Sequence, residues 1–474
     1  MTGLPRRKDR STKGAIFSQI KDPILLVAVL IATFIVTSFL FVGLLTVSNF
    51  VSPERIISSI EPDIDEIVDR GSYPRAFDSE SRKSTLDRFT DSIMLMQAIP
   101  DPSMTAFENA VLAPYLDYVQ ESGRISPPIS LREKIADPSL ENNNNYFLYW
   151  HGYTVPMRMV LSLFTFSQVI IVNYILLVAL ILVVAEIFRR TAGIKAVIAF
   201  ALALLLMNIW AVPQSFQLVN MFFLSLFGVI ALYLLLVKGK ERIWIPSLFL
   251  VLGMATSFFD FLTIPLVTLL LPLLLLVLWR MKDERQSLFA VVGLTVTWVM
   301  GYVGFWAAKW LVLLKVHTSP DLVNTLILSK LNERSGMDAE STVSRIGAIS
   351  RNFSLLHWNP DPLIVGDYFS LRIVALSILS FVVAWAVIFW LSGADFKRLK
   401  LSFPLLILAS APYLWYFVIS NHSYIHYWFT YRAQLVSVFA FLLFVMISID
   451  WKKLMNRWAD KSGKERLTTE QAKE

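Results

Sequence analysis

Runs of about twenty consecutive apolar residues recur along this chain, and each is long enough for a helix to cross the hydrocarbon core of a bilayer. Within lipid a backbone must satisfy its own hydrogen bonds, which leaves helices and closed barrels as spanning structures. Barrel strands alternate apolar and polar residues, and these runs do not. The expectation is an all-α, polytopic integral membrane protein. Across 474 residues, 55% are hydrophobic and only 17% charged, a balance outside that of soluble globular chains.

The runs divide the chain into a basic tail over residues 1–22, a first span over 23–47, a polar segment over 48–155, and spans two to seven within 156–315. A second polar segment, 316–370, precedes spans eight to ten within 371–450 and a charged tail over 451–474. About ten spans result. Lys and Arg cluster in the short segments between alternate spans, at Arg189-Arg190, Lys238 to Arg242, Arg280 to Arg285 and Lys397 to Lys400. By the positive-inside rule those segments are cytoplasmic, as are both termini, and the polar segment after span one is extracytoplasmic. The net charge of +7 resides in these clusters and implies no nucleic-acid partner. The first apolar run is too long for a signal-peptide core and lacks a small-residue cleavage site, so it reads as a signal anchor. With no cysteine and no retention motif, a prokaryotic plasma membrane is the expected location.

Residues 48–155 carry 17 Asp or Glu against 9 Lys or Arg, although the whole protein is basic. Amphipathic helices are expected at Pro53 to Asp69, at Ser84 to Ala98 with Ser84 or Thr85 as cap, and at Ala106 to Gln120. They would lie flat on the outer membrane surface or against the tops of the spans. Pro127-Pro128 and Asn142 to Asn145 break the pattern, and Tyr146 to Phe164 reads as an interfacial or re-entrant approach to span two.

The inside segments are too short for a nucleotide-binding domain, and no phosphate-binding glycine motif is present. The absence of cysteine excludes disulfides and thiol chemistry. Asp260 lies between two apolar half-segments, where an acid is costly unless it is paired or faces water; hydration at a turn is the plainer reading. Asp87 and Asp91 fall one turn apart on one helix face and can serve as a base at the membrane–water boundary, Asp91 being the leading candidate and Asp63 and Asp65 following. A solvated helix face is the alternative for each. All five histidines, His151, His317, His357, His422 and His426, fall on the expected outer side. His422 and His426, one turn apart, can bind a metal or sugar hydroxyls or act as a base, and equally fit an aromatic interface belt. No motif requires a cofactor, and a divalent metal is compatible with the sequence. Trp150, His151 and Tyr153 combine an aromatic platform with hydrogen-bonding groups suited to a sugar, and Arg432 suits a lipid phosphate or ordinary snorkelling.

In layout the chain resembles the polytopic C-type glycosyltransferases, which use polyprenyl-phosphate-linked sugar donors. The shared features are a basic inner N-terminus, one anchor span, a long acidic outer loop with amphipathic helices, and many spans joined by short inner loops. The family's catalytic Asp or Glu lies in that first outer loop, here occupied by Asp63, Asp65, Asp87 and Asp91; the family's compact Asp-Glu signature directly after the first span is absent. The resemblance implies that basic residues near the outer surface hold the lipid phosphate, a part open to Arg158, Lys330, Arg334 and Arg432. It implies an inverting displacement onto a saccharide or envelope-polymer acceptor. A flippase or a polymerase of lipid-linked saccharides, or an outer-face acyltransferase using His151 or His422, are the competing classes. Against the flippase stand the lack of paired mid-span charges and of repeat symmetry.

Overall fold

The computed structural model describes residues 23–78, 81–120, 123–240, 242–282, 288–316, 320–337, 344–356 and 367–459. Helix α1 spans Pro23–Ser48. The polar segment then folds into α2 (Pro53–Ile60), α3 (Ile64–Arg70), α4 (Arg88–Ala98), α5 (Ala106–Leu112), α6 (Pro127–Ala136) and α7 (Thr154–Leu161). Next come α8 (Phe166–Ala192), α9 (Ile194–Leu206), α10 (Phe216–Val237), α11 (Trp244–Phe259), α12 (Leu266–Lys282) and α13 (Leu288–Val316). The chain continues through α14 (Pro320–Ser335), α15 (Arg345–Ser354), α16 (Asp367–Leu391), α17 (Phe396–Val418), α18 (Ser420–Ile425), α19 (Tyr427–Thr430) and α20 (Gln434–Ser448). The sheet among the described residues is a two-stranded antiparallel pair, with Pro114 opposite Asn145.

The architecture is all-helical. Among the described residues six stretches are long and apolar enough to cross a membrane: α1, α8, α10, α13, α17 and Tyr427–Ser448. Helices α9 and α11, with Leu266–Met281 and Ala375–Leu391, are equally apolar but shorter. Large side chains such as Ile24, Val36 and Phe39 on α1, and Phe289 and Met300 on α13, face outward. In water each would forfeit roughly 1.5–3 kcal/mol of burial; a lipid surround removes that cost. Inside the bundle α11 crosses α13 at close range. A Cβ on Gly253 would sit 2.1 Å from the Trp298 carbonyl oxygen, and one on Gly301 2.2 Å from that of Leu250. Small residues let the two backbones touch, which drives packing where lipid removes the hydrophobic effect.

The polar segment forms a cap on one end of the bundle. Ile56, Ile60, Ile64 and Ile67 turn inward as their spacing predicts, and they share a core with Met94, Leu131, Phe166, Phe216 and Leu262. The cap helices therefore pack against the tops of the bundle helices. Two details differ from the sequence reading, and a third refines it. Helix α4 starts at Arg88 and is capped by Asp87, whose carboxylate accepts from Thr90 N at 3.0 Å. Ser84 ends a preceding 3-10 turn and Thr85 is extended, bridging Arg75, so neither is free to cap. Helix α5 ends at Leu112, because Ala113 adopts a left-handed conformation (φ 50°) that turns the chain into the sheet. Of Tyr146 to Phe164 only α7 is helical, with eight residues, too short to span a bilayer.

Candidate active site

Two polar clusters lie beneath the cap. The first centres on Asp91, fully buried on α4. Its Oδ2 accepts from Arg88 Nη1 at 2.9 Å and its Oδ1 from Phe216 N at 3.1 Å. Arg88 also donates to the Gln214 carbonyl and lies over the Phe166 ring. Asp87, one turn earlier, accepts from Thr90 N and Oγ1 and from Gln217 Nε2. Every oxygen of this pair is claimed by α4 itself or by the start of α10. Burial raises both carboxyls, that of Asp91 to about 7, with Arg88 opposing the rise and Asp87 adding to it.

The second cluster is reached through Gln217. Thr263 Oγ1 lies 3.5 Å from Gln217 Oε1, and Thr263 N donates to Asp260 Oδ1 at 2.9 Å. Asp260 ends α11, is 4% exposed, and its Oδ2 has no hydrogen-bond partner among the described residues. Burial raises this carboxyl to about 7 against hydrogen bonds from Thr263 and from the backbone of Phe261 and Leu262. Its charge reaches Tyr149, which also feels the charge of Arg334. Tyr146, alongside, feels Arg334 on one side and Asp87 on the other.

Arg334 sits in the last turn of α14. That turn is tied to α18, where Asn421 donates to the Glu333 carbonyl at 2.8 Å and Ser420 to that of Ser335 at 3.1 Å. Arg334 Nη1 donates to His422 Nδ1 at 2.7 Å, which leaves the imidazole proton on Nε2, donating to the Leu262 carbonyl at 2.9 Å. Burial and the neighbouring His426 and Arg334 push His422 well down, and burial pushes His426 to about 4, so both rings are neutral. Arg334 has no ion pair among the described residues, and its buried Nε has no partner.

Arg334 and Lys330 close one end of a cavity of about 880 Å³ between α12, α13 and α17. Its walls are almost wholly apolar, as at Leu270, Trp298, Trp306, Leu408 and Leu414, with Tyr149 and Leu262 beside the arginine. The volume falls in the roughly 300–1,000 Å³ range of ligand sites, which are typically apolar with a few placed polar groups. Lys330 is exposed and pairs with Glu333 at 2.5 Å.

The other sequence candidates are engaged elsewhere. Trp150 is buried, stacked on Phe305 and donating to its carbonyl at 2.8 Å, with Lys309 over its ring, so it offers no platform. His151 and Tyr153 lock one another at 2.7 Å, with Gln97 and the Tyr146 carbonyl completing an internal network. Arg158 gives its guanidinium to the carbonyls of Gln97 and Ala98 and to Ser48 Oγ, joining α7, α4 and α1. Arg432 is fully buried and donates to the Lys83 carbonyl at 2.7 Å and that of Trp428 at 3.2 Å. Asp63 accepts from Ser167 N and Oγ at the start of α8, and Asp65 is exposed. His317 and His357 lie outside the described residues. No group of three or more His, Asp or Glu that could hold a metal comes together among the described residues. Sequence reasoning missed Tyr146, Tyr149, Gln217 and Thr263, which join the acids to Arg334; only the Tyr-rich stretch before Trp150 hinted at them. Comparison with protein-family models, curated proteins and solved structures returns no match to this chain.

Proposed function

We propose that this protein is a membrane glycosyltransferase of the plasma membrane. It moves a sugar from a polyprenyl-phosphate donor to a saccharide or envelope-polymer acceptor on the cap side, which faces outward. The six long apolar helices and the four shorter ones then make ten spans, with both termini cytoplasmic. Short spans are accommodated by local thinning of the bilayer. The observation that supports the reading is the apolar cavity lined at one end by a cation, Arg334, and by Tyr149 and Leu262, with a buried acid, Asp260, two residues before Leu262 and with one oxygen unpartnered among the described residues. An isoprenoid chain fits the apolar walls and its phosphate the guanidinium.

Asp260 is the base in this arrangement. Its carboxylate takes the proton of an acceptor hydroxyl, whose oxygen forms a new bond to the anomeric carbon. The bond from that carbon to the phosphate oxygen breaks, and the lipid phosphate leaves with the electron pair, stabilised by Arg334. Inversion at the anomeric carbon follows from the single displacement. The test uses full-length protein in nanodiscs with radiolabelled polyprenyl-phosphate sugars. Transfer of label to water-soluble or polymeric product, lost in Asp260→Asn, supports the reading. Label that crosses the bilayer with no covalent product makes the protein a flippase instead.

A further inference from the structure

We infer that His422 is a positioning residue: through one peptide group it ties the cation Arg334 to the carboxylate of Asp260. Its catalytic meaning rests on the transferase reading, because it concerns how the proposed base and the proposed phosphate-binding cation are held together.

Three hydrogen bonds run end to end between the two charged groups. Arg334 Nη1 donates to His422 Nδ1 at 2.7 Å, and His422 Nε2 donates to the Leu262 carbonyl at 2.9 Å. The amide of that same peptide, Thr263 N, donates to Asp260 Oδ1 at 2.9 Å. The Leu262–Thr263 peptide is trans, so its carbonyl and its N–H point in opposite directions. His422 and Asp260 therefore take opposite edges of one rigid plane. Every donor in the chain points toward the acid. Hydrogen bonds aligned in this way polarise one another, and most strongly where water is excluded; His422, Leu262, Thr263 and Asp260 are all buried.

Two local features depend on this histidine. Leu262 has a φ of 76°, a left-handed conformation that bulky side chains rarely adopt and that persists where neighbours fix it. The His422 N–H holds its carbonyl, and both Leu262 and Arg334 line the apolar cavity. The ring is equally constrained. A guanidinium only donates and a carbonyl only accepts, so the imidazole between them must accept at Nδ1 and donate at Nε2. Only the neutral Nε2–H tautomer does both, and burial, with His426 and Arg334 alongside, keeps the ring neutral. At its far end the chain donates to Asp260 and so opposes the upward push of burial on that carboxyl. Among the described residues the ionisable groups that share the field of Asp260 are Tyr149 and Tyr302.

The experiment follows protonation of Asp260 by infrared spectroscopy on full-length protein in nanodiscs. The carbonyl band of its protonated carboxyl is assigned by its absence from Asp260→Asn. An asparagine amide falls where histidine Nδ1 lies, and a glutamine amide where Nε2 lies. His422→Asn therefore keeps an acceptor for Arg334 and loses the donor to Leu262, whereas His422→Gln keeps that donor. His422→Asn should raise the proton affinity of Asp260 by about threefold to tenfold, and His422→Gln should leave it within about twofold of wild type. An unchanged affinity in His422→Asn, or equal shifts in both variants, overturns the inference and leaves His422 as packing. Nitrogen NMR of histidine-labelled wild type covers the case in which a variant fails to fold. One histidine is expected in through-space contact with an arginine guanidinium, as the neutral Nε2–H tautomer between roughly pH 5 and 8. The other tautomer, a protonated ring, or no such contact overturns the inference equally. Transfer from labelled donor is followed in the same samples. A shift confined to His422→Asn without transfer keeps the chain and sinks the transferase reading; transfer without that shift does the reverse.

Discussion

The Asp87–Asp91 cluster and the Asp260–Arg334 cluster hold the same residue types at similar depth, and they differ in what is left over. Around Asp91 each oxygen has a partner, and the nearby cation, Arg88, is consumed by it and by the Gln214 carbonyl. That closed network joins the cap to α10. Among the described residues one Asp260 carboxylate oxygen has no partner and Arg334 pairs with no carboxylate, and Arg334 lines a cavity. Buried polar groups left incomplete are costly to maintain, so an incomplete set beside a cavity points to a ligand that completes it. The same comparison separates Arg158, which spends its guanidinium on the protein, from Arg334 and Arg432, each of which has a buried Nε without a partner among the described residues; of these two, Arg334 lines the cavity.

The contrast is broken most directly by exchanging each acid for its amide. Asp260→Asn should lower transfer by about 10²–10⁴-fold while the unfolding temperature stays within the wild-type range, measured by labelled product and by thermal unfolding. Asp91→Asn should do the opposite. It leaves Arg88 buried and unpaired, so stability drops by about 3–5 kcal/mol in a denaturation series, whereas Arg88→Met with Asp91→Leu recovers most of the loss. If Asp91→Asn instead folds normally and abolishes transfer, the roles of the two clusters are exchanged.

Next in size is the cation. Arg334→Ala removes charge-assisted hydrogen bonds worth about 1.5–3 kcal/mol, and should raise the KM for lipid donor by one to two orders of magnitude with little change in acceptor KM. The pH profile sharpens the assignment further. Asp260 must be ionised to accept a proton, and burial holds its carboxyl at about 7. The rate should therefore climb between roughly pH 6 and 8 and then level off, with a tenfold fall per unit on the acid side. A rate that is flat across that window removes Asp260 as the base. Lys330 should matter least: exposed and already paired with Glu333, its replacement by Ala should change donor KM by about twofold to fivefold.

The class of architecture was legible in the chain because lipid imposes a simple rule. A run of apolar residues long enough to span must be helical, and each apolar stretch read as a span contains a helix in the structure, although Ala196 to Val212 is α-helical only as far as Leu206. The inward stripe of Ile56, Ile60, Ile64 and Ile67 was legible for the same reason, as a local period that one helix face records. Asp260 was marked by its setting between apolar halves, His422 and His426 by their spacing of one turn in an aromatic stretch, and Arg334 only by what the family resemblance implied. What the sequence could not supply was which polar groups cancel one another. Asp91 is matched by Arg88 three residues away but also by a backbone N–H at Phe216, and the Arg432 partner is the carbonyl of Lys83. Trp150 reads as a surface platform until Phe305 covers it. Hydropathy and period are properties of a segment and survive in the linear string. Whether a charge is satisfied or left open depends on atoms brought within about 3 Å by packing, and only the tertiary structure decides that.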